Sequence, residues 1–106
     1  AKGKAFTAVI AHNDLCALGV MERLLIAGLK IPDDVSVTGY DNLAESATYP
    51  VPLTTASTSL DDIARTAIEM IVGDPMKDQR GVILPSQLIK RQSTGPARQG
   101  GEFVTT

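Results

Sequence analysis

The sequence predicts an α/β fold built on a βαβ unit with a parallel sheet. Three patterns carry this prediction: an apolar run at 6–11, an amphipathic stretch at 15–29 and a β-branched run at 35–40. Together they span about 35 residues, the size of one right-handed βαβ unit. The chain has 106 residues, 43% of them hydrophobic and 21% charged, which is the composition of a globular domain or a piece of one.

Charge and cysteine content narrow the function classes. The chain contains 10 Lys and Arg residues and 12 Asp and Glu residues. We therefore expect no basic nucleic-acid-binding face within these residues. We expect no membrane partner, because no apolar run reaches the roughly 18 residues of a span and no signal peptide opens the chain. The single cysteine, Cys16, excludes an internal disulfide and fits a reducing, cytoplasmic location.

The first strand and the first helix are predicted from a change in the spacing of the apolar residues along the chain. The run at 6–11, Phe-Thr-Ala-Val-Ile-Ala, is compact and mostly apolar, and it predicts a strand buried on both faces. From residue 15 the apolar positions recur every three or four residues, which predicts a helix over 15–29 with Gly28 near its end. Pro32, Asp33 and Asp34 then predict a turn into the second strand.

The second half predicts shorter elements. We expect a helical turn at 43–48, an extended proline-containing crossing at 49–52 and a short strand at 53–58. Ser59 predicts the start of a helix, with Gly73 just past its end. Residues 80–84 and 87–90 predict two short strands, and 95–102 a flexible tail. The apolar side chains that this helix is predicted to bury are Ile63, Ala67, Ile68 and Ile71.

Polar residues follow both strands of the βαβ unit. His12, Asn13 and Asp14 follow the first strand, and Asp41 and Asn42 follow the second. Ligands bind beyond the carboxyl ends of parallel strands, so Asn13 and Asp41 are candidates to share one ligand. A carboxylate accepts from hydroxyls and an amide both donates and accepts, which suits a sugar or another polyol. The alternative is structural: Asn13 or Asp14 caps the helix, and Asp41 with Asn42 forms an Asx turn.

The sequence predicts no enzyme, catalytic residue, metal site or cofactor. His12 is the only histidine and has no second ligand at metal-binding spacing. A nucleophile elbow, a phosphate loop and a dinucleotide fingerprint are all missing from the sequence. We interpret Cys16 as a packed helix residue rather than a reactive thiol.

The ordered motifs resemble the lactose-repressor family of bacterial transcription regulators. They are Ala-His-Asn-Asp-Leu-Cys-Ala-Leu-Gly-Val at 11–20, Ala-Gly-Leu-Lys-Ile-Pro-Asp-Asp-Val-Ser-Val-Thr-Gly-Tyr-Asp-Asn at 27–42, Pro-Leu-Thr-Thr at 52–55 and Lys-Arg-Gln-Ser-Thr at 90–94. The resemblance covers about residues 6–94. It implies an effector-binding domain of the periplasmic-binding-protein-like architecture, in which two α/β lobes enclose a ligand.

The resemblance also implies how the chain divides. Residues 1–94 are expected to be the C-terminal part of that domain, with about 59–80 belonging to the other lobe, and 95–106 a flexible tail. Operator DNA would then be bound only through a helix-turn-helix headpiece absent from this chain.

Individual roles are likewise implied by position. Asn13 and Asp41 match family residues that hydrogen-bond effector hydroxyls. Thr58 stands where members often place a glutamine, and His12 replaces a small residue or Cys and is a candidate to tune effector choice. Leu18 and Tyr49 match surfaces used for a homodimer; core packing is the alternative for Leu18, while Tyr49 is expected to be exposed.

The sequence leaves three candidate functions for this chain. The first is the effector-binding and dimerisation part of a transcription regulator, with a sugar or nucleoside-like effector. The second is the sugar-binding component of a transport system, which shares the fold. The third, a small α/β enzyme, is disfavoured because no acid, base and nucleophile can be assembled.

Overall fold

The computed structural model describes residues 5–73 and 81–99. Four short strands, two α-helices and one 3₁₀ helix follow one another along these residues. In chain order they are β1 (Ala8–Ile10), α1 (Asp14–Ile26), β2 (Ser36–Thr38), the 3₁₀ helix (Ala44–Thr48), β3 (Thr55–Ser57), α2 (Leu60–Val72) and β4 (Gln87–Ile89). The described residues contain no helix that is both long and apolar enough to cross a membrane.

The predicted βαβ unit is present. Strands β1 and β2 pair in parallel, with Val9 opposite Val37, and α1 packs against β2. Helix α1 is shorter than the predicted 15–29, because it ends at Ile26 and Gly28 then turns the chain with φ of +83°. A positive φ at this position is the usual glycine-terminated helix end.

The parallel arrangement continues beyond β2 into the segment that leads to β3. The Gly39 amide donates to the Thr54 carbonyl at 3.1 Å, and the Asp41 amide donates to the Ala56 carbonyl at 2.9 Å. Strand β3 then pairs antiparallel with β4. Residues 53–56 therefore lie beside β2 at the edge where the polar loops begin.

Ser93 ties the last segment to this sheet. Its side chain is fully buried, accepts a hydrogen bond from the Thr54 amide at 2.8 Å and donates to the Val37 carbonyl at 2.6 Å. Gly95 is also anchored, since its amide donates to Ser36 Oγ at 3.1 Å. The predicted flexible tail thus begins with a bonded residue, and its residues 100–106 lie outside the described part.

A small core forms between α1 and β2. Its buried members are Ala17, Met21, Val37, Tyr49 and Leu53. The prediction that the first strand is buried on both faces is wrong, because Ile10 in β1 is 85% exposed. Strand β1 pairs only with β2 among the described strands, so no described strand covers its other edge.

Helix α2 forms where predicted, but its apolar face is not buried. Ser59 Oγ accepts from the Asp62 amide at 3.3 Å, as the capping pattern predicted, and Gly73 ends the helix. The predicted burial of Ile63, Ala67, Ile68 and Ile71 is wrong: all four are exposed, and no residue of α2 is buried. The amphipathic pattern is real, but no described layer of structure covers it.

Only one of the two late strands is observed. Strand β4 matches the prediction at 87–90, whereas residues 81–84 form no strand and Arg80 lies outside the described residues. The β-branched run at 82–83 has no neighbouring strand to pair with, and Ile83 is 95% exposed.

Candidate ligand site at the ends of two parallel strands

The loops that follow β1 and β2 lie side by side. The Ala11 amide donates to the Thr38 carbonyl, and the Asp14 amide donates to the Tyr40 carbonyl, both at 2.9 Å. These bonds continue the parallel pairing past the strand ends. The loop that carries His12 and Asn13 therefore meets the loop that carries Asp41.

Asn13 is the N-cap of α1. Its backbone is extended, and its Oδ1 accepts a hydrogen bond from the Cys16 amide at 2.8 Å. The capping interpretation is thus correct for the Asn13 oxygen. The side chain is half-buried, and its Nδ2 makes no hydrogen bond within residues 5–73 and 81–99. That amide group remains a possible donor to a ligand.

Asp41 presents an exposed carboxylate. Its amide is held by the Ala56 carbonyl, and its backbone φ is +118°. Neither carboxylate oxygen accepts a hydrogen bond from the described part of the chain, so the side chain does not close an Asx turn. The carboxylate is therefore left to solvent or to a ligand.

Asp14 is the residue that holds the two loops in this arrangement. Its side chain is fully buried; Oδ1 accepts from the Thr55 hydroxyl at 2.6 Å, and Oδ2 accepts from the Leu43 amide at 2.8 Å. The sequence placed Asp14 only as a candidate cap. No spacing signal indicated its burial, because both of its partners come from elements that lie far along the chain.

Arg91 is a second residue that the sequence did not single out. Its Nη1 donates to Ser46 Oγ at 2.8 Å and to the Leu53 carbonyl at 2.9 Å, and its Nη2 donates to Asn42 Oδ1 at 2.9 Å. One guanidinium therefore joins the last segment of the chain to both ends of the loop after β2.

The remaining candidate ligand residues lie at the same edge of the sheet. His12 is exposed in the loop after β1. Thr58 is half-buried, and its hydroxyl lies 3.3 Å from Ser86 Oγ, which in turn lies 2.6 Å from the Tyr40 hydroxyl. Thr58 is thus connected through Ser86 to the residue that precedes Asp41. The ligand roles of His12 and Thr58 stay predictions.

Of the two candidate dimer residues, Leu18 agrees in part with the core-packing alternative, and Tyr49 differs from its predicted exposure. Leu18 is half-buried and packs against the core, so core packing accounts for part of its surface. The interpretation of Tyr49 as an exposed residue is wrong: it is 8% exposed and belongs to the core. The dimer role of both residues stays a prediction.

The hydroxyl of Tyr49 is buried and has no hydrogen-bond partner among the described residues. Burial raises the pKa of this phenol above its usual value of 10.0, and the negative charges of Asp14 and Glu45 add to the effect. The group therefore stays neutral at physiological pH. Within the described residues, no three His, Cys, Asp or Glu side chains cluster as metal ligands would.

Comparison with known proteins places this arrangement in a family. The model of the periplasmic binding protein-like domain matches residues 2–94. The HTH-type transcriptional repressor PurR of Vibrio campbellii is 42% identical over 73 residues, which is 69% of this chain and 22% of that protein. The lactose operon repressor of Escherichia coli is 34% identical over 92 residues, covering 83% of this chain and 25% of that protein. The chain thus spans about a quarter of the length of these curated relatives.

Solved structures agree with this comparison. A lac repressor dimer bound to operator and an anti-inducer superposes with a TM-score of 0.78 at 33% identity, covering 83% of this chain and 32% of that one. A lactose-repressor-family regulator of Lactobacillus casei with bound sucrose superposes with a TM-score of 0.71 at 30% identity. The match covers 83% of this chain and 33% of that one. These relatives are transcription regulators, which favours a regulator over a transport component. The chain belongs to the periplasmic binding protein-like domain family, and over about a quarter of their length it is similar to transcription regulators of the lactose-repressor family.

Proposed function

We propose that this chain binds a small, hydroxyl-rich effector where the loops after β1 and β2 meet. The observation that carries the proposal is the exposed carboxylate of Asp41, which accepts no hydrogen bond from the described residues and lies in the loop hydrogen-bonded to the one that carries Asn13. Asp41 would accept hydrogen bonds from effector hydroxyls, and Asn13 Nδ2 would donate one to an effector oxygen. The effector class is a sugar or a nucleoside-like molecule.

Two further side chains would shape the choice of effector. The imidazole of His12 is exposed beside Asn13, where it can contact the part of the ligand that projects past the first strand. The hydroxyl of Thr58 would approach from the β3 side, with the hydrogen bond to Ser86 fixing its direction. Neither contact needs a metal ion, a cofactor or catalysis.

The proposed role in regulation is a shift between two arrangements of the effector domain. An effector changes the population of these arrangements only through its different affinity for each of them. Operator DNA would be bound by a headpiece outside this chain, in the cytoplasm. Homodimer formation would use the surface around Leu18 and the segment that ends at Tyr49. Similar solved structures support this proposal, since they include a lac repressor dimer bound to operator and a Lactobacillus casei regulator with bound glucose or bound sucrose.

The binding proposal is tested by isothermal titration calorimetry on the full-length protein. The panel contains D-glucose, sucrose, adenosine and guanosine. Asp41→Asn keeps the size and the tolerance for positive φ but removes the charge, and Asp33→Asn is the matched control at an exposed turn. Loss of a charge-assisted hydrogen bond should weaken binding about tenfold or more.

Two results would count against the proposal. One is that no member of the panel binds to the parent protein. The other is that Asp41→Asn and Asp33→Asn bind with the same affinity as the parent. The first result would contradict the proposed effector class, and the second would remove the loop after β2 from the effector site.

The dimer proposal is tested by sedimentation equilibrium. We expect the full-length protein to be a dimer and Leu18→Ala to weaken association. Arg23→Ala is the control on the same helix, at an exposed residue five positions from Leu18 and therefore on a different face. A parent protein that stays monomeric at every concentration would contradict the proposal.

A further inference from the structure

We infer that Arg91 is a positioning residue that holds Asp41 in the orientation needed to bind effector, an inference that rests on the proposed function of Asp41. The backbone conformation at residues 41–42 and the hydrogen bonds of the Arg91 guanidinium support this role. In this role Arg91 does not itself touch the ligand.

The backbone that presents Asp41 is in an uncommon conformation. Asp41 has φ of +118° and Asn42 has φ of +54°. Positive φ is unfavourable for residues other than glycine; asparagine and aspartate tolerate the left-handed region best, but +118° lies outside it. Such a conformation persists only where the surroundings hold it in place.

Three hydrogen bonds hold these two residues. The Asp41 amide donates to the Ala56 carbonyl at 2.9 Å, and the Asn42 amide donates to Thr55 Oγ1 at 3.3 Å. Both bonds lie on the β3 side. The Asn42 side chain is held separately, because its Oδ1 accepts from Arg91 Nη2 at 2.9 Å. Removing Arg91 would therefore free the Asn42 side chain. Asn42 is the residue that follows Asp41 directly in the sequence.

The guanidinium is itself fixed, which lets it act as a support. Nη1 donates to Ser46 Oγ and to the Leu53 carbonyl, and both of these contacts are partly buried. The Arg91 amide also donates to Thr54 Oγ1 at 2.9 Å. A planar guanidinium can serve several acceptors at once in a fixed geometry, which a lysine ammonium on a flexible stem cannot reproduce.

These contacts separate a positioning role from a purely structural one. The bonds to Ser46 and Leu53 stabilise the packing of the loop beneath the site. The bond to Asn42 is exposed and contributes little burial. A substitution that removes only the Asn42 acceptor should therefore affect the conformation at Asp41 more than the stability of the fold.

The experiment compares four variants in the full-length protein. Arg91→Gln removes the guanidinium, and Asn42→Gly removes the side-chain acceptor while allowing positive φ. Asn42→Asp keeps an acceptor and is the conservative variant that should retain parent behaviour. Ser46→Ala removes an Arg91 partner away from Asp41 and is the structural control.

The first readout is amide hydrogen exchange of Asp41 and Asn42 without effector, corrected for intrinsic rates and compared with the amides of α1. Local exchange reports the opening of a segment separately from global unfolding. We expect exchange at these two amides to rise about tenfold in Arg91→Gln and Asn42→Gly, and to stay near the parent rate in Asn42→Asp and Ser46→Ala. Unchanged exchange in Arg91→Gln would overturn the inference.

The second readout is affinity for the same sugars and nucleosides, with Asp41→Asn included. We expect Arg91→Gln and Asn42→Gly to weaken binding by similar factors, and the double variant to weaken it no further. If Asp41→Asn weakens binding but Arg91→Gln and Asn42→Gly do not, the positioning inference fails and the proposed function stands. If Asp41→Asn has no effect, the proposed function fails instead.

Discussion

Replacing Asp14 by alanine should destabilise the fold, because the buried Thr55 hydroxyl and the half-buried Leu43 amide would both lose their acceptor. The Thr55 hydroxyl and the Leu43 amide both donate to this fully buried carboxylate. A buried donor left without a partner costs about 1–3 kcal/mol. The Thr55 hydroxyl alone therefore predicts a loss of about 1–3 kcal/mol in the free energy of unfolding, and the half-buried Leu43 amide adds a smaller amount. Small domains are stable by only about 5–15 kcal/mol, so this is a large fraction.

Asp14→Asn is the matched variant. Its Oδ1 can still accept from the Leu43 amide, and its amide group can donate to the Thr55 oxygen, whose hydroxyl is free to rotate. Only the charge assistance is lost, so we expect a decrease of about 1–2 kcal/mol. In the Asp14→Ala background, Thr55→Val should cost less than it does in the parent, because the hydroxyl no longer has its acceptor.

Urea denaturation followed by circular dichroism measures these differences. The midpoint should fall in the order parent, Asp14→Asn, Asp14→Ala, with similar slopes. An Asp14→Ala variant within about 0.5 kcal/mol of the parent, which is the range of ordinary surface substitutions, would refute the assignment of Asp14 as the tie between the two loops.

Three other substitutions test the packing around this edge. Gly39→Ala should cost about 1–3 kcal/mol in a denaturation experiment, because an added Cβ would lie 2.9 Å from Leu53 Cδ2; parent-like stability would contradict the close approach. Ser93→Ala should cost about 1–3 kcal/mol by leaving the buried Thr54 amide without its acceptor, and an unchanged midpoint would refute that role. The raised pKa of Tyr49 means that the folded state keeps its proton where the unfolded state loses it; stability is therefore full below pH 10 and falls as pH rises through the folded pKa. Tyr49→Phe should remove that fall at no cost in neutral solution, since the hydroxyl has no partner among the described residues, and an unchanged pH profile would contradict this.

The sequence predicted the βαβ unit and the position of most elements because their signals are local. The apolar run, the change of period at residue 15 and the capping residues Asn13 and Ser59 each act within a few positions. The parallel pairing then brought Asn13 and Asp41 to one edge, as the geometry of a parallel sheet requires.

Burial was predicted less well, because it depends on what lies next to each element. The face of α2 and both sides of β1 have the pattern of buried surfaces, yet Ile10 and Ile71 are mostly exposed. The prediction for Tyr49 was wrong in the opposite direction. The prolines beside it suggested an exposed surface segment, whereas Tyr49 belongs to the core.

The supporting residues of the site were beyond the reach of sequence patterns. Asp14 pairs with Thr55 across 41 positions, and Arg91 pairs with Asn42 across 49. Nothing in the local sequence distinguishes such an aspartate from a helix cap, or such an arginine from a solvated side chain. Only the three-dimensional arrangement shows that they hold the two loops together.

The central claim is that an effector binds between the loops that follow β1 and β2. Chemical-shift mapping of the ¹⁵N-labelled protein with each member of the sugar and nucleoside panel tests it most directly. The account predicts that the binding compound shifts the amides of residues 11–14 and 40–43 most strongly. Shifts confined instead to the apolar groove along α1, which is lined by Phe6, Val9, Val20 and Leu24, would contradict it.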